Sequence, residues 1–284
     1  MKENVFVEQG KTLVSEVRCG KELGRDIERA VEAIGGLGRL VEPGETIMVK
    51  PNFNTPDPPP GSSDPLFVKA VIEQLYEHGA GKVVVGESSM FRLSTREVLR
   101  TMGMLQAAQE AGAEVLCFDE GEWTTVETGG HYLKKVALAQ AGLEAKKIVY
   151  VCCLKTHRLA NFTMSLKLAM GFVKSRDRLN MHARRLKQKL AELNLAIAPD
   201  LTIMDARRCF ISGGPDKGEL REPNLILASG DQIAIDVQGL KVIQGYAGHS
   251  LKKGPWELPM IQHAVELGLG ATSEEAYRVA RLES

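Results

Sequence analysis

Two lysines and a histidine are the residues best placed to do chemistry in this chain. Lys50 closes the apolar run of residues 46–50, and Lys155 follows the apolar run of residues 147–152, with His157 two positions beyond it. An ammonium group at a strand end suits a carboxylate or phosphate. If partly buried or beside another cation, it loses its proton more readily and can act as a base or as the amine of a Schiff base. Imidazole accepts a proton or binds a metal ion when neutral and stabilises negative charge when protonated. His182, after the basic stretch of residues 174–178, is expected at the same mouth. Lys155, His157 and His182 are therefore the candidate catalytic residues, with Lys50 as an anion ligand. His78 and the remaining histidines are expected to be structural.

Other polar residues follow predicted strand ends. Asn52 and Asn54 come after Lys50, and Glu87, Ser88 and Ser89 come after Gly86, where a glycine allows close backbone approach to a ligand. Exposed amides and two hydroxyls there would suit an anion. Gly213 and Gly214, with Pro215 and Gly218, read as a tight loop using left-handed backbone, with Gly214 near the ligand. Asp231 reads as a helix cap. Asp236 lies inside an apolar helix, where a buried carboxylate needs a partner, and Lys155 is a candidate for it.

Several functions lose support. No G-x-x-x-x-G-K-[ST] loop occurs, and no G-x-G-x-x-G joins a strand to a helix, so ordinary nucleotide and nicotinamide binding are not indicated. No D-x-D or H-E-x-x-H spacing supports a metal site. Cys19, Cys117, Cys152, Cys153 and Cys209 are odd in number, scattered and without a C-x-x-C pair, which argues against a secreted disulfide framework and against an iron–sulfur cluster held by a cysteine motif. Thirty-six basic and thirty-six acidic side chains cancel, so no overall field draws the chain to nucleic acid or membranes. Basic residues do gather between Lys167 and Lys189, and read as a solvated helical face. Few aromatics accompany them, so RNA binding by base stacking is a weak alternative. No signal-like apolar run opens the sequence, and none approaches the roughly 20 apolar residues of a membrane span, so a cytoplasmic location is expected.

These side chains need a scaffold. Short apolar runs at residues 46–50, 82–86, 114–118, 147–152, 201–205 and 224–228 read as strands. Amphipathic or helix-rich segments separate them, at residues 65–78, from Ser94 or Thr95 to about 111 with a break near Gly103, 162–172, 184–195 and 231–242. That alternation predicts an α/β fold: a mostly parallel sheet with helices on both faces, and a helical C-terminal tail from residue 256. A single domain over residues 1–284 is expected; two lobes divided near residues 120–146 are the alternative. Residues 51–65 hold six of the twelve prolines and read as an extended connection or the rim of a cleft. In such sheets ligands sit outside the carboxyl ends of the strands, where these candidates fall.

As an ordered set, Val49-Lys50-Pro51-Asn52, Val84-Val85-Gly86-Glu87-Ser88-Ser89, Leu154-Lys155-Thr156-His157, Gly214-Pro215 and residues 229–236 resemble the bacterial and archaeal family called domain of unknown function 362. The resemblance covers about residues 45–245 and implies no settled reaction. Some members carry a ferredoxin-like module for four-iron clusters; without a C-x-x-C pair in this sequence, that cluster is not expected here. The family's lysine–asparagine step before methionine–glycine is Lys167-Leu168 in this chain. A more distant similarity to the nickel-pincer lactate racemase group rests on lysine and histidine in an α/β cleft.

The preferred expectation is an enzyme acting on a small anionic carboxylate or phosphate metabolite by lysine and histidine acid–base chemistry. The alternative is a metal- or redox-linked binding protein, with ligands drawn from His157, His182, Cys152, Cys153 and Asp205 and a redox protein as partner. The cofactor, reaction class and oligomeric state are not specified by the sequence.

Overall fold

The computed structural model describes residues 3–283. In chain order its first elements are β1 (Val7–Glu8), β2 (Lys11–Arg18), α1 (Leu23–Glu32), β3 (Thr46–Lys50), α2 (Pro65–Glu77), β4 (Lys82–Glu87), α3 (Thr95–Thr101), α4 (Met104–Glu110) and β5 (Glu114–Cys117). The middle holds β6 (Trp123–Glu127), β7 (Lys135–Ala139), α5 (Gln140–Glu144), β8 (Lys147–His157), β9 (Asn161–Thr163), α6 (Ser165–Leu168), α7 (Ser175–Ala183) and α8 (Leu186–Leu193). The last part is β10 (Leu201–Gly213), β11 (Gly218–Arg221), β12 (Leu225–Ser229), α9 (Gln232–Gln244), α10 (Pro259–Glu266) and β13 (Tyr277–Leu282).

Eleven strands form one sheet, ordered β1-β2-β12-β10-β8-β3-β4-β5, with β9 on β8, β11 on β10 and β13 on β2. The run from β10 through β8, β3 and β4 to β5 is parallel throughout, so those strands end at one edge. Alternation along the strands explains the two covered faces. Ile47, Val49, Val149, Val151 and Ile203 join a core with residues of α1 to α4. Met48, Ile148, Tyr150, Cys152 and Met204 join another with residues of α6, α8, α9 and α10. Ser94 caps α3 by accepting from the Glu97 amide, and Asp231 caps α9 by accepting from Ile233 and Ala234. Gly103 (φ 78°) separates α3 from α4, as its place in the sequence suggested.

Three local expectations change. The strand expected to stop at Cys152 continues to His157 as β8, because β9 folds back antiparallel on Lys155–His157 and β10 runs on beside Leu154 and Lys155. Asn161, with φ 74°, makes the turn into β9, which replaces the start of the helix expected over residues 162–172; only α6 and a 3₁₀ turn remain of it. The tail is helical in α10, but the described chain finishes in β13, parallel to β2. The interval 120–146 holds the antiparallel pair β6–β7, tied to the rest by a bridge between Leu138 and Val173. No helix among the described residues is long and apolar enough to cross a membrane.

Candidate functional site

The ends of β3, β4 and β8 open onto a cavity of about 480 Å³, within the usual range for small-molecule sites. Of the residues singled out in the sequence, Lys50, Asn52, Asn54, Glu87, Ser88, Lys155, His157 and His182 line it. Ser89, Gly214 and Cys152 do not. The proline-rich segment is a wall: Asn54, Thr55 and Gly61 face this cavity, while Pro59 and Pro60 face a second one.

Lys50 and Lys155 are both 1 % exposed, yet their surroundings differ. Lys50 Nζ lies 2.7 Å from Glu87 Oε1, donates to the Pro51 carbonyl at 2.6 Å and sits 5.8 Å from the centre of the Phe172 ring. Glu87 also accepts from the amides of Phe53 and Ser88. Burial lowers the Lys50 pKa, and the Glu87 carboxylate opposes that. Lys155 Nζ donates only to the Gly61 carbonyl, at 2.5 Å, and has no carboxylate within ion-pair distance among the described residues. Burial lowers its pKa, opposed at longer range by Cys153, Asp57 and Asp216.

A third lysine was missed. Lys167 lines the cavity with no hydrogen-bond or ion-pair partner among the described residues; burial first, then the charges of Lys155 and Arg178, push it down to about 7. In the sequence it opens a basic run that reads as a solvated face, and charge count alone does not reveal burial. Lys167 is half-buried, and Arg178, from the same run, is buried. Its guanidinium donates to the carbonyls of Val173, Ser89, Ser88 and Gly171 and to the Ser88 hydroxyl, so it fastens α7 to the turn after β4. Burial pushes it down to about 10.

That turn differs from the expected anion cradle. The Ser88 amide donates to Glu87, the Ser89 amide to Thr95 Oγ1, and the Ser89 hydroxyl to the Phe53 carbonyl. These donors are engaged within the protein rather than facing a ligand unpaired. The close approach at Gly86 is made by Phe118, whose ring would lie 2.5 Å from a Cβ there. Gly214 (φ 61°) acts from behind the wall: a Cβ would collide with the Thr156 carbonyl, and its neighbours Pro215 and Asp216 reach the lining.

The two histidines present opposite chemistry. His157 Nδ1 accepts from the amides of Leu159 and Ala160 at 3.0 and 3.1 Å, which puts the ring proton on Nε2. Burial, then the charges of Lys167, His182, Lys155 and Arg158, push it down to about 3. Neutral His157 is therefore a hydrogen-bond donor. His182 Nδ1 donates to the Arg178 carbonyl at 2.7 Å, which leaves the Nε2 lone pair as acceptor. Asn52 Nδ2 and Thr163 Oγ1, both on residues lining the cavity, are buried without a hydrogen-bond partner among the described residues.

Asp236 does not pair with Lys155. It is fully buried and accepts from the amides of Ser165 and Leu166 at 2.8 and 2.9 Å; burial pushes it up to about 8. Among the described residues no three His, Cys, Asp or Glu side chains gather to hold a metal ion, so the alternative set of His157, His182 and Cys152 is not assembled. Cys152 lies in the apolar core. The second cavity, also about 480 Å³, includes Cys153, Asp205 and Arg207. Its charges are satisfied internally: Arg207 bridges Asp205 and Asp64 at 2.7 and 2.8 Å, and Arg208 lies 3.4 Å from Glu222.

Comparison with known proteins settles the family. The family model described as "Domain of unknown function (DUF362)" matches residues 47–241. The chain belongs to the DUF362 family. The matched segment runs from β3 into α9 and so contains every residue lining the lysine-bearing cavity. A DUF362 relative, the thylakoid-associated protein sll1697 of Synechocystis sp., is 30% identical over 253 residues, 86% of this chain and 75% of that protein. Among solved structures, the lactate racemase apoprotein of Thermoanaerobacterium thermosaccharolyticum is similar with a TM-score of 0.49 and 12% identity. The match covers 86% of this chain, which spans only 58% of that one. A protein from Thermotoga maritima follows with a TM-score of 0.43 and 11% identity, over 86% of this chain and 59% of its own.

Proposed function

We propose that this DUF362 chain is an enzyme acting on a small carboxylate or phosphate by acid–base chemistry in the cavity at the ends of β3, β4 and β8. One observation carries the reading: Lys155 and Lys167 both line this cavity, and neither has a carboxylate within ion-pair distance among the described residues. A buried ammonium without a counter-charge is costly, and a bound anion removes that cost. Lys50 is already matched by Glu87 and serves as a positioning residue for the wall. His157 Nε2–H would donate to a substrate oxygen as charge develops, and the His182 Nε2 lone pair would accept a proton. This refines the sequence reading, in which His157 itself moved the proton. Asn52 Nδ2 and Thr163 Oγ1 would complete the polar contacts.

Native mass spectrometry against a panel of small carboxylates and phosphate monoesters tests the proposal. The intact protein is expected to take up one molecule of at least one panel member, and Lys155→Met to weaken that binding by tenfold or more. Failure of the whole panel to bind, or equal binding to both proteins, would overturn it.

A further inference from the structure

The cavity is lined by both charged and apolar side chains. Lys155, Lys167 and His157 lie close enough that the charge of Lys155 acts on Lys167 and the charges of both lysines act on His157. Met90 and Phe91, from the turn after β4, and Leu179, from α7, line the same space while remaining 45 %, 41 % and 56 % exposed. Single exposed apolar side chains are ordinary, whereas three lining one cavity form a shared apolar surface that a ligand could cover.

Helix α7 sharpens the point. Ser175, Arg178, Leu179 and His182 line the cavity, at the spacing of one helical face, whereas Met181 is buried in the core. Leu179 is thus a large apolar residue on the cavity face and contributes little to the protein's own core. Leu168 and Met170, both buried, continue the apolar lining inward.

We infer that the ligand is an amphipathic anion: an acidic head group at Lys155 and Lys167, joined to an aliphatic or aromatic body lying against Met90, Phe91 and Leu179. The inference rests on the anion-binding reading above and specifies its substrate class. A simple inorganic anion would leave these side chains in water. A hydrocarbon chain of a few carbons would cover them, with each buried methylene strengthening binding about fourfold until the chain leaves the cavity.

The experiment is a calorimetric titration with acetate, butyrate, hexanoate and octanoate, and with the matching alkyl phosphates, all below micelle-forming concentrations. The intact protein, Leu179→Gln, Phe91→Ser and Lys155→Met are compared. Both apolar positions are exposed, so these substitutions should leave folding intact, which circular dichroism would verify. Affinity should climb with chain length in the intact protein, the climb should flatten in Leu179→Gln and Phe91→Ser, and Lys155→Met should weaken every member. Affinity independent of chain length would overturn this inference while leaving the anion site standing. A climb unchanged in both apolar variants would overturn it too, because the chain would then lie elsewhere. If no member of either series binds the intact protein, or Lys155→Met changes nothing, the anion-binding reading itself falls.

Discussion

At the scale of residues, the two lysines with nearly identical burial are expected to behave in opposite ways. Lys50→Met strands the buried Glu87 carboxylate without its 2.7 Å partner, a loss worth about 3–5 kcal/mol. Lys155→Met removes an ammonium that has no carboxylate partner among the described residues, so stability should hold or rise. Urea denaturation of the two variants compares them; a Lys155→Met protein as unstable as Lys50→Met would contradict the assignment. Lys167 adds a pH dependence. With its pKa pushed down to about 7 it is an ammonium at pH 6 and mostly an amine at pH 8. If the cavity takes an anion as proposed, the charged form holds it, so affinity should fall as pH rises, by about tenfold across that window. Lys167→Met should bind more weakly at pH 6 and lose that part of the fall. An intact protein whose affinity rises toward pH 8 would contradict the sign.

At the scale of elements, the site depends on how β8, α7 and the turns around them are fastened. Gly214 illustrates it. Any side chain there meets the Thr156 carbonyl at the end of β8, in a backbone conformation that disfavours side chains. Gly214→Ala should therefore cost roughly 2 kcal/mol or more, read as a lower denaturation midpoint. An unchanged midpoint would mean that the loop does not hold the strand. The same elements explain what the sequence disclosed. Lys50, Lys155 and His157 were legible because unbroken apolar runs mark the strands of a parallel sheet, whose ends share an edge. Lys167 and Arg178 were not, because a basic run looks alike in water and under packed helices. Arg178 is buried with guanidinium bonds that hold α7 to the turn after β4, and Lys167 is half-buried on α6, which follows β9 and the left-handed turn at Asn161. β13 was hidden for a related reason: its two arginines interrupt the apolar run, and pairing with β2 supplies the order.

At the scale of the whole molecule, the chain has no net charge, yet one cavity concentrates positive charge that its own carboxylates do not cancel. On the proposed reading, recruitment of an anion falls to local geometry, and partly buried cations are less screened by salt than exposed ones. The parallel run of the sheet makes that geometry, by bringing residues separated by more than a hundred positions in the chain to one edge. The other large cavity is the internal control, since Arg207 and Arg208 there already face Asp64, Asp205 and Glu222. The most direct test is a crystal structure with hexanoate or hexyl phosphate bound. The acidic group is expected within hydrogen-bond distance of Lys155 Nζ and Lys167 Nζ, and the chain against Leu179. An anion seated in the Arg207 cavity, with the lysine cavity left without one, would contradict it.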